Sequence, residues 1–215
     1  MRGLIYHMLN YLALDTGGFD PARRALLQVG LYHPACGRVA MFVDPAEGLT
    51  VSEGAAKVNG WPDTHQEGTV SESDAMEQLG VAIKNTKANW ILCHHAAFDI
   101  PFIRAAMGRQ NKTFRLPRSL CTMGLAAVLS DIGGVVLEKF SLNYLQAAFV
   151  PDYARPNPHD ASHDAELTYM VMQEMLSRFH GLAALANETA RLSKDGHAPT
   201  PPRQTRRLGM GRLGR

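Results

Sequence analysis

Cys93-His94-His95-Ala96-Ala97-Phe98-Asp99-Ile100-Pro101-Phe102 follows the apolar run Trp90-Ile91-Leu92. A short apolar run giving way to small residues and an acid reads as a buried strand passing into a helix. Asp99 stands at the start of that helix, with Phe98, Phe102 and Ile103 to pack beneath it. Taken alone, such an aspartate is an N-cap. Asp99 has company, however. His159-Asp160-Ala161-Ser162-His163-Asp164-Ala165 opens another helix, and the apolar strand Tyr11-Leu12-Ala13-Leu14 ends at Asp15. Three acids at the ends of three elements, with His159 five residues before Asp164, suggest a carboxylate metal site.

The rest of the chain supplies a scaffold. Its 215 residues suffice for one domain with a sizeable core. Hydrophobic residues at 46% and charged residues at 20% are ordinary for a soluble globular protein. No apolar run reaches 18 residues, so no membrane span is expected, and residues 1–7 lack the character of a signal peptide. Cys36, Cys93 and Cys121 are odd in number with no CxxC spacing, which predicts reduced thiols and a cytoplasmic protein. Charge is unevenly spread. Seven bases against Asp195 give residues 191–215 a charge of +6, which leaves the body at −4. The expected organisation is a domain over 1–192 and a basic, disordered tail over 193–215.

In order, strands are expected at 9–15, 25–32 and 38–44, joined by short turns as an antiparallel meander. Thr16 to Pro21 reads as a turn from its glycines and proline. A short helix at 52–58 and a longer one starting near Ser71 precede the strand Trp90–Cys93. That strand is parallel to the first, because a helix connects them. Helices follow over 97–108 and 122–129, the second after a short strand at 116–120. Asp131-Ile132-Gly133-Gly134 reads as a loop, Ser141 caps a helix through Phe149, and residues 151–158 hold three prolines. The segment 161–179 is amphipathic, with Leu167, Val171, Met175 and Phe179 at helical spacing. A further helix is expected over 181–192. The fold class is α/β, a mixed five-stranded sheet flanked by helices.

Clustered carboxylates suit hard cations such as Mg²⁺ or Mn²⁺, which take oxygen ligands and share them with substrate phosphates. Two such ions roughly 4 Å apart activate a water on one side and stabilise the leaving oxygen on the other. A neighbouring histidine takes the proton from the attacking water. His159, on the loop leading into its helix, is placed for that role; His94, His95 and His163 read as core or supporting residues.

At these residues the chain resembles the DEDD superfamily of 3′–5′ exonucleases, in the branch with a catalytic histidine that includes polymerase proofreading subunits and ribonuclease T. His94-His95-Ala96-Ala97-Phe98-Asp99 is close to the family's H-N-x-x-F-D, and His159-Asp160-Ala161-Ser162-His163-Asp164 matches H-x-A-x-x-D. Leu14-Asp15-Thr16-Gly17-Gly18-Phe19 is similar to the D-x-E-T-x-G region. Gln28-Val29-Gly30 fits the second strand and Val58-Asn59-Gly60 the turn after the third. The resemblance spans roughly residues 9–178 and implies a ribonuclease H-like fold. It also implies Asp15, Asp99 and Asp164 as metal ligands, His159 as general base, and single-stranded or frayed DNA or RNA 3′ ends as substrate. A polymerase or another replication or repair protein is the implied partner. Thr16, Phe19, Phe98 and Phe102 are the residues expected to touch substrate, the aromatics by stacking on terminal bases.

The first motif departs from the pattern. The family has an aspartate and a glutamate two residues apart; here Asp15 is the one acid. Either Asp15 is the family's aspartate and a two-residue shortening has removed the glutamate, or Asp15 takes the glutamate's place and Ala13 the aspartate's. Strand period two puts Ala13, Asp15 and Gly17 on one face, so both alignments stand. Both reduce four acids to three. The functions expected are therefore a metal-dependent 3′–5′ exonuclease weakened by the loss, or a nucleic-acid-binding or polymerase-associated module on the same fold. An unrelated scaffold whose acids are helix caps is the third reading.

Overall fold

The computed structural model describes residues 9–19, 24–44, 51, 53–59, 69–132, 135–155 and 159–179. The helix expected over 181–192 and the basic tail of 193–215 lie outside the described residues, as do Pro156, Pro158 and Gly60. Among the described residues, a six-stranded sheet runs in the order β4-β3-β2-β1-β5-β6. Its strands are β1 (Tyr11–Phe19), β2 (Ala25–His33), β3 (Gly37–Asp44), β4 (Thr69–Ser71), β5 (Trp90–Cys93) and β6 (Arg118–Cys121). The helices are α1 (Glu53–Asn59), α2 (Glu72–Thr86), α3 (Ala96–Arg109), α4 (Thr122–Ile132), α5 (Leu142–Phe149) and α6 (Ala161–Arg178).

The meander is present: β1 pairs antiparallel with β2, and β2 with β3. β5 lies parallel to β1 and to β6. The expected five strands become six because Thr69–Ser71 adds a parallel edge beside β3. Three residues running straight into a helix cap are too short to show any period-two signal. The turn expected at Thr16 is also corrected. β1 continues through Thr16, Gly17, Gly18 and Phe19, paired with Val29, Gln28, Leu26 and Ala25, with a register shift between Gly17 and Gly18. Glycines that looked like a turn are instead a bulge in a strand. Likewise Asp131 and Ile132 belong to α4 rather than to a loop.

The strand alternation of β1 divides the core in two. Tyr11 and Ala13 face Leu125, Leu145, Ala165 and Val171 from α4, α5 and α6. Leu12 and Leu14 face Met76 and Leu79 of α2 and Ile100 and Ile103 of α3. Each such aliphatic side chain removed from water contributes about 1.5–3 kcal/mol. Polar clamps fix the helices on this sandwich. Ser71 Oγ accepts from Asp74 N–H at 3.0 Å to cap α2. Glu72, 3% exposed, takes Arg109 at 2.6 Å and so joins the start of α2 to the end of α3. Asn10, just before β1, donates through Nδ2 to the carbonyls of Thr86 and Lys87 at 2.8 and 3.0 Å, which binds the end of α2 to the strand.

Candidate active site

The site forms where β1 outruns β5. The parallel ladder covers only Tyr11, Leu12 and Ala13. Asp15 lies two residues further on, half-buried, and faces Gly30 of β2. It is thus mid-strand toward β2 and at the ladder's end toward β5, which corrects the expected strand-end placement.

Gly30 is where α6 arrives. A Cβ built there would stand 2.0 Å from the backbone carbon of Ala161 and 2.3 Å from the nitrogen of Ser162. Only glycine permits this approach of helix to sheet. Gln28 completes the junction, its Oε1 accepting the Ala161 N–H at 3.1 Å. Asp160 caps the helix, its Oδ1 accepting from the backbone of Ser162 at 2.9 Å and of His163 at 3.1 Å. One turn in, Asp164 is brought up to Asp15.

Asp99 comes from the other side, in the first turn of α3, and is 2% exposed. Thr16 donates both its N–H and its hydroxyl to Oδ1 of Asp99, at 3.1 and 2.8 Å. Behind it, His94 Nδ1 meets Thr122 Oγ1 at 2.9 Å, and burial lowers the His94 pKa to about 4, so this imidazole is neutral at pH 7.

The electrostatics record the convergence. Burial pushes the Asp15 pKa well above the carboxylate range, and the charges of Asp99 and then Asp164 push it further. Burial raises Asp99 to about 7 against the hydrogen bonds from Thr16, and raises Asp164 against its pairing with Arg155. Carboxyls crowded and dehydrated in this way call for a cation. The acids fit a hard divalent ion in kind. Among the described residues, though, no three His, Cys, Asp or Glu side chains are arranged as a ready metal cage. Two of the oxygens are engaged elsewhere: Asp99 Oδ1 by Thr16, and Asp164 Oδ1 by the Arg155 guanidinium.

His159 is exposed, on the loop before α6, in the left-handed region at φ 70°. A charge on it is felt at Asp164. Thr16 is buried and its hydroxyl is given to Asp99, so it positions an acid rather than offering a surface to substrate. Phe102 is 3% exposed, and a Cβ on Gly18 would stand 2.5 Å from its ring, so it is a core residue closing β1 against α3. Phe98 keeps partial exposure, packs on Phe102 with ring centroids 4.6 Å apart, and stacks with the exposed His95 at 6.1 Å. Phe19 pairs with Ala25 through its backbone. Gln28 is read in the sequence only as part of the second strand, and Arg155 is not singled out there at all. Arg155 belongs to no motif, and its partners Asn143 and Asp164 lie on separate helices.

No family model matches the chain. It is 27% identical over 203 residues to ribonuclease T of Haemophilus influenzae, covering 85% of each chain. Its fold is similar to that of E. coli exonuclease I in a zinc-bound complex with single-stranded DNA, with a TM-score of 0.69 at 13% identity over 84% of this chain and 43% of that one. It is also similar to the nuclease domain of 3′hExo, a DEDDh family member bound to rAMP, with a TM-score of 0.60 at 9% identity over 78% of this chain and 90% of that one. The chain is thus similar in sequence to ribonuclease T, and it shares its fold with 3′–5′ exonucleases, among them a DEDDh family member.

Proposed function

We propose that the chain removes nucleoside monophosphates one at a time from the 3′ ends of single-stranded or frayed DNA or RNA, with Asp15, Asp99 and Asp164 as the ligands of Mg²⁺ or Mn²⁺. The observation that carries this reading is the meeting of three acids from β1, α3 and α6: burial raises the pKa of Asp15, and the charges of Asp99 and Asp164 raise it further. Asp15, Asp99 and Asp164 would hold the divalent ion, which would supply polarisation of the scissile phosphate and a lowered pKa for the attacking water.

The remaining steps belong to the protein. His159, exposed beside Asp164, takes the proton from the attacking water at a ring nitrogen. The cap made by Asp160 fixes the backbone from which His159 departs. Thr16 aims Asp99, and the Gly30 contact sets the distance between Asp15 and Asp164. Phe98 and His95, stacked and partly open, offer a face for a terminal base. Free Cys36, Cys93 and Cys121 suit a reducing compartment such as the cytoplasm. No helix among the described residues is long and apolar enough to cross a membrane.

A second reading has its own support. The first motif lacks an acid, and Arg155 pairs with Asp164. On that reading the fold binds nucleic acid, alone or beside a polymerase, with little turnover. The deciding experiment follows 5′-labelled single-stranded DNA, DNA with a frayed 3′ end, and short RNA, each with Mg²⁺, Mn²⁺ or chelator. Stepwise shortening from the 3′ end that needs metal and is lost in Asp99→Asn supports the exonuclease. Binding without shortening in either metal supports the module.

A further inference from the structure

The acid site carries a cation of its own. Arg155 lies on the stretch between α5 and α6, with 6% of its side chain exposed, and its Nη2 pairs with Oδ1 of Asp164. Nη1 donates to Oδ1 of Asn143 on α5, and Nε is buried without a partner. The guanidinium charge is also felt at Asp15. The backbone that carries it is tied down on both sides. Tyr153 donates its hydroxyl to Glu166 of α6 at 2.7 Å, and its carbonyl accepts from Gln146 of α5 at 2.8 Å. A guanidinium is held away from water only where a carboxylate compensates it. Here the compensating carboxylate is one that a metal would need.

We infer that Arg155 is a built-in counter-cation that competes with divalent metal for Asp164, so that the free protein holds one ion at most until the guanidinium is displaced. The inference rests on the reading of Asp15, Asp99 and Asp164 as metal ligands. Charge supports it. Three ionised carboxylates are balanced by one divalent ion together with one guanidinium, and a second divalent ion leaves the cluster positively charged. Geometry supports it too, since an oxygen engaged by a charged N–H donor is a poorer ligand for a hard cation. In this site Arg155 is a positioning residue: it acts on the metal through Asp164.

The test uses Mn²⁺ alone as the probe. Titration calorimetry, with free Mn²⁺ counted by paramagnetic resonance, is run on the full chain, on Arg155→Ala, Arg155→Lys and Asp99→Asn. The unmodified protein is expected to bind one Mn²⁺. Arg155→Ala should bind Mn²⁺ at least tenfold more tightly and accept a second ion. Its metal-free melting temperature should fall, because Asp164 is left uncompensated, and Mn²⁺ should raise it by more than it raises the unmodified protein. Arg155→Lys keeps the charge but cannot fork between Asn143 and Asp164, and should gain part of the affinity. If Arg155→Ala does not fold, Arg155→Lys decides by the same titration. Unchanged affinity and stoichiometry in the Arg155 variants, with binding lost in Asp99→Asn, overturns the role of Arg155 and leaves the metal site standing. Two Mn²⁺ bound tightly by the unmodified protein overturns it as well. No Mn²⁺ bound by any of the proteins overturns both the role and the metal-ligand reading beneath it.

Discussion

Thr16 spends both of its donors on a single oxygen, Oδ1 of Asp99. The two residues are 83 apart in the chain, and the bonds are buried. They fix the rotamer of an acid that burial alone would tend to neutralise. Thr16→Val keeps the shape and the N–H bond but removes the hydroxyl donor. Loss of a hydrogen bond to a charged group costs about 1.5–3 kcal/mol. The expected outcome is a fall in turnover of at least about tenfold, since small misplacements at a reacting centre are costly. Mn²⁺ affinity should weaken alongside it. Full turnover and unchanged Mn²⁺ binding in Thr16→Val would show that the backbone bond suffices to aim Asp99.

Gly30 sets the other side of the cluster. Any side chain there meets the backbone at Ala161 and Ser162, which cannot swing aside as a side chain can. Gly30→Ala must push the start of α6 off the sheet, carrying Asp164 away from Asp15. Overpacking of this kind typically costs about 1–3 kcal/mol. Activity should fall by more than the stability loss explains, measured at a temperature where the variant is fully folded. A variant that loses stability but keeps normal turnover when folded would mean that the Asp15–Asp164 distance tolerates movement.

Much of this arrangement is legible in the sequence. Asp99 and Asp164 sit in helix first turns, as the residues around them implied, because a strand-to-helix change and a capping aspartate are local signals. The alternation of β1 told which side chains share a face. What stayed hidden is non-local. Gly17 and Gly18 read as a turn, yet pairing with Gln28 and Leu26 holds them in a strand. The three residues of β4 owe their strand conformation to β3. Arg155 belongs to no motif; its meaning comes from Asn143 and Asp164, which only the packing of α5 against α6 brings to it. Thr16 looked like a substrate contact until Asp99 was found on its hydroxyl.

His94 gives a pH dependence with a definite sign. Its folded pKa is about 4, depressed first by burial, against an ordinary value of 6.5. The unfolded chain therefore binds more protons than the native state between about pH 4 and 6.5, and stability from this residue is full above 6.5 and lost as pH falls through that window. Asp15 and Asp99, with raised values, act in the opposite sense over an overlapping range. The comparison of variant with parent separates them. His94→Gln cannot be protonated, so its melting temperature should fall less on acidification from pH 7 to 4.5 than that of the unmodified protein. Parallel pH profiles for the two proteins would refute a buried neutral His94.

The missing acid is the sharpest test of all. On the proposed reading of the acids as metal ligands, three carboxylates in place of four would leave one metal position short of a ligand and the site short of a charge that a hard cation needs in order to leave water. Slow hydrolysis with Mg²⁺ is the expected result. β1 runs unbroken from Asp15 through Thr16 and Gly17 in register with β2, and the irregularity that follows comes only between Gly17 and Gly18. A two-residue shortening keeps the strand alternation, so this backbone fits both alignments. The alignment with Asp15 in the glutamate's place and Ala13 in the aspartate's is the first to test. Ala13 is fully buried, opposite Tyr32 and beside Leu92, in the cluster that includes Ala165 of α6. A carboxylate there is several kcal/mol too costly to leave unpaired, yet it lies on the same strand face as Asp15. Ala13→Asp should therefore be less stable than the parent without metal, recover with Mn²⁺, and hydrolyse single-stranded substrate more than tenfold faster. Gly17→Glu sets a long side chain beside the bulge, opposite buried Gln28, and should lose stability without gaining rate. A gain in Gly17→Glu alone would restore the shortened-loop alignment. No gain in either, or an unmodified protein as fast as exonucleases with all four acids, would mean that another group already completes the site.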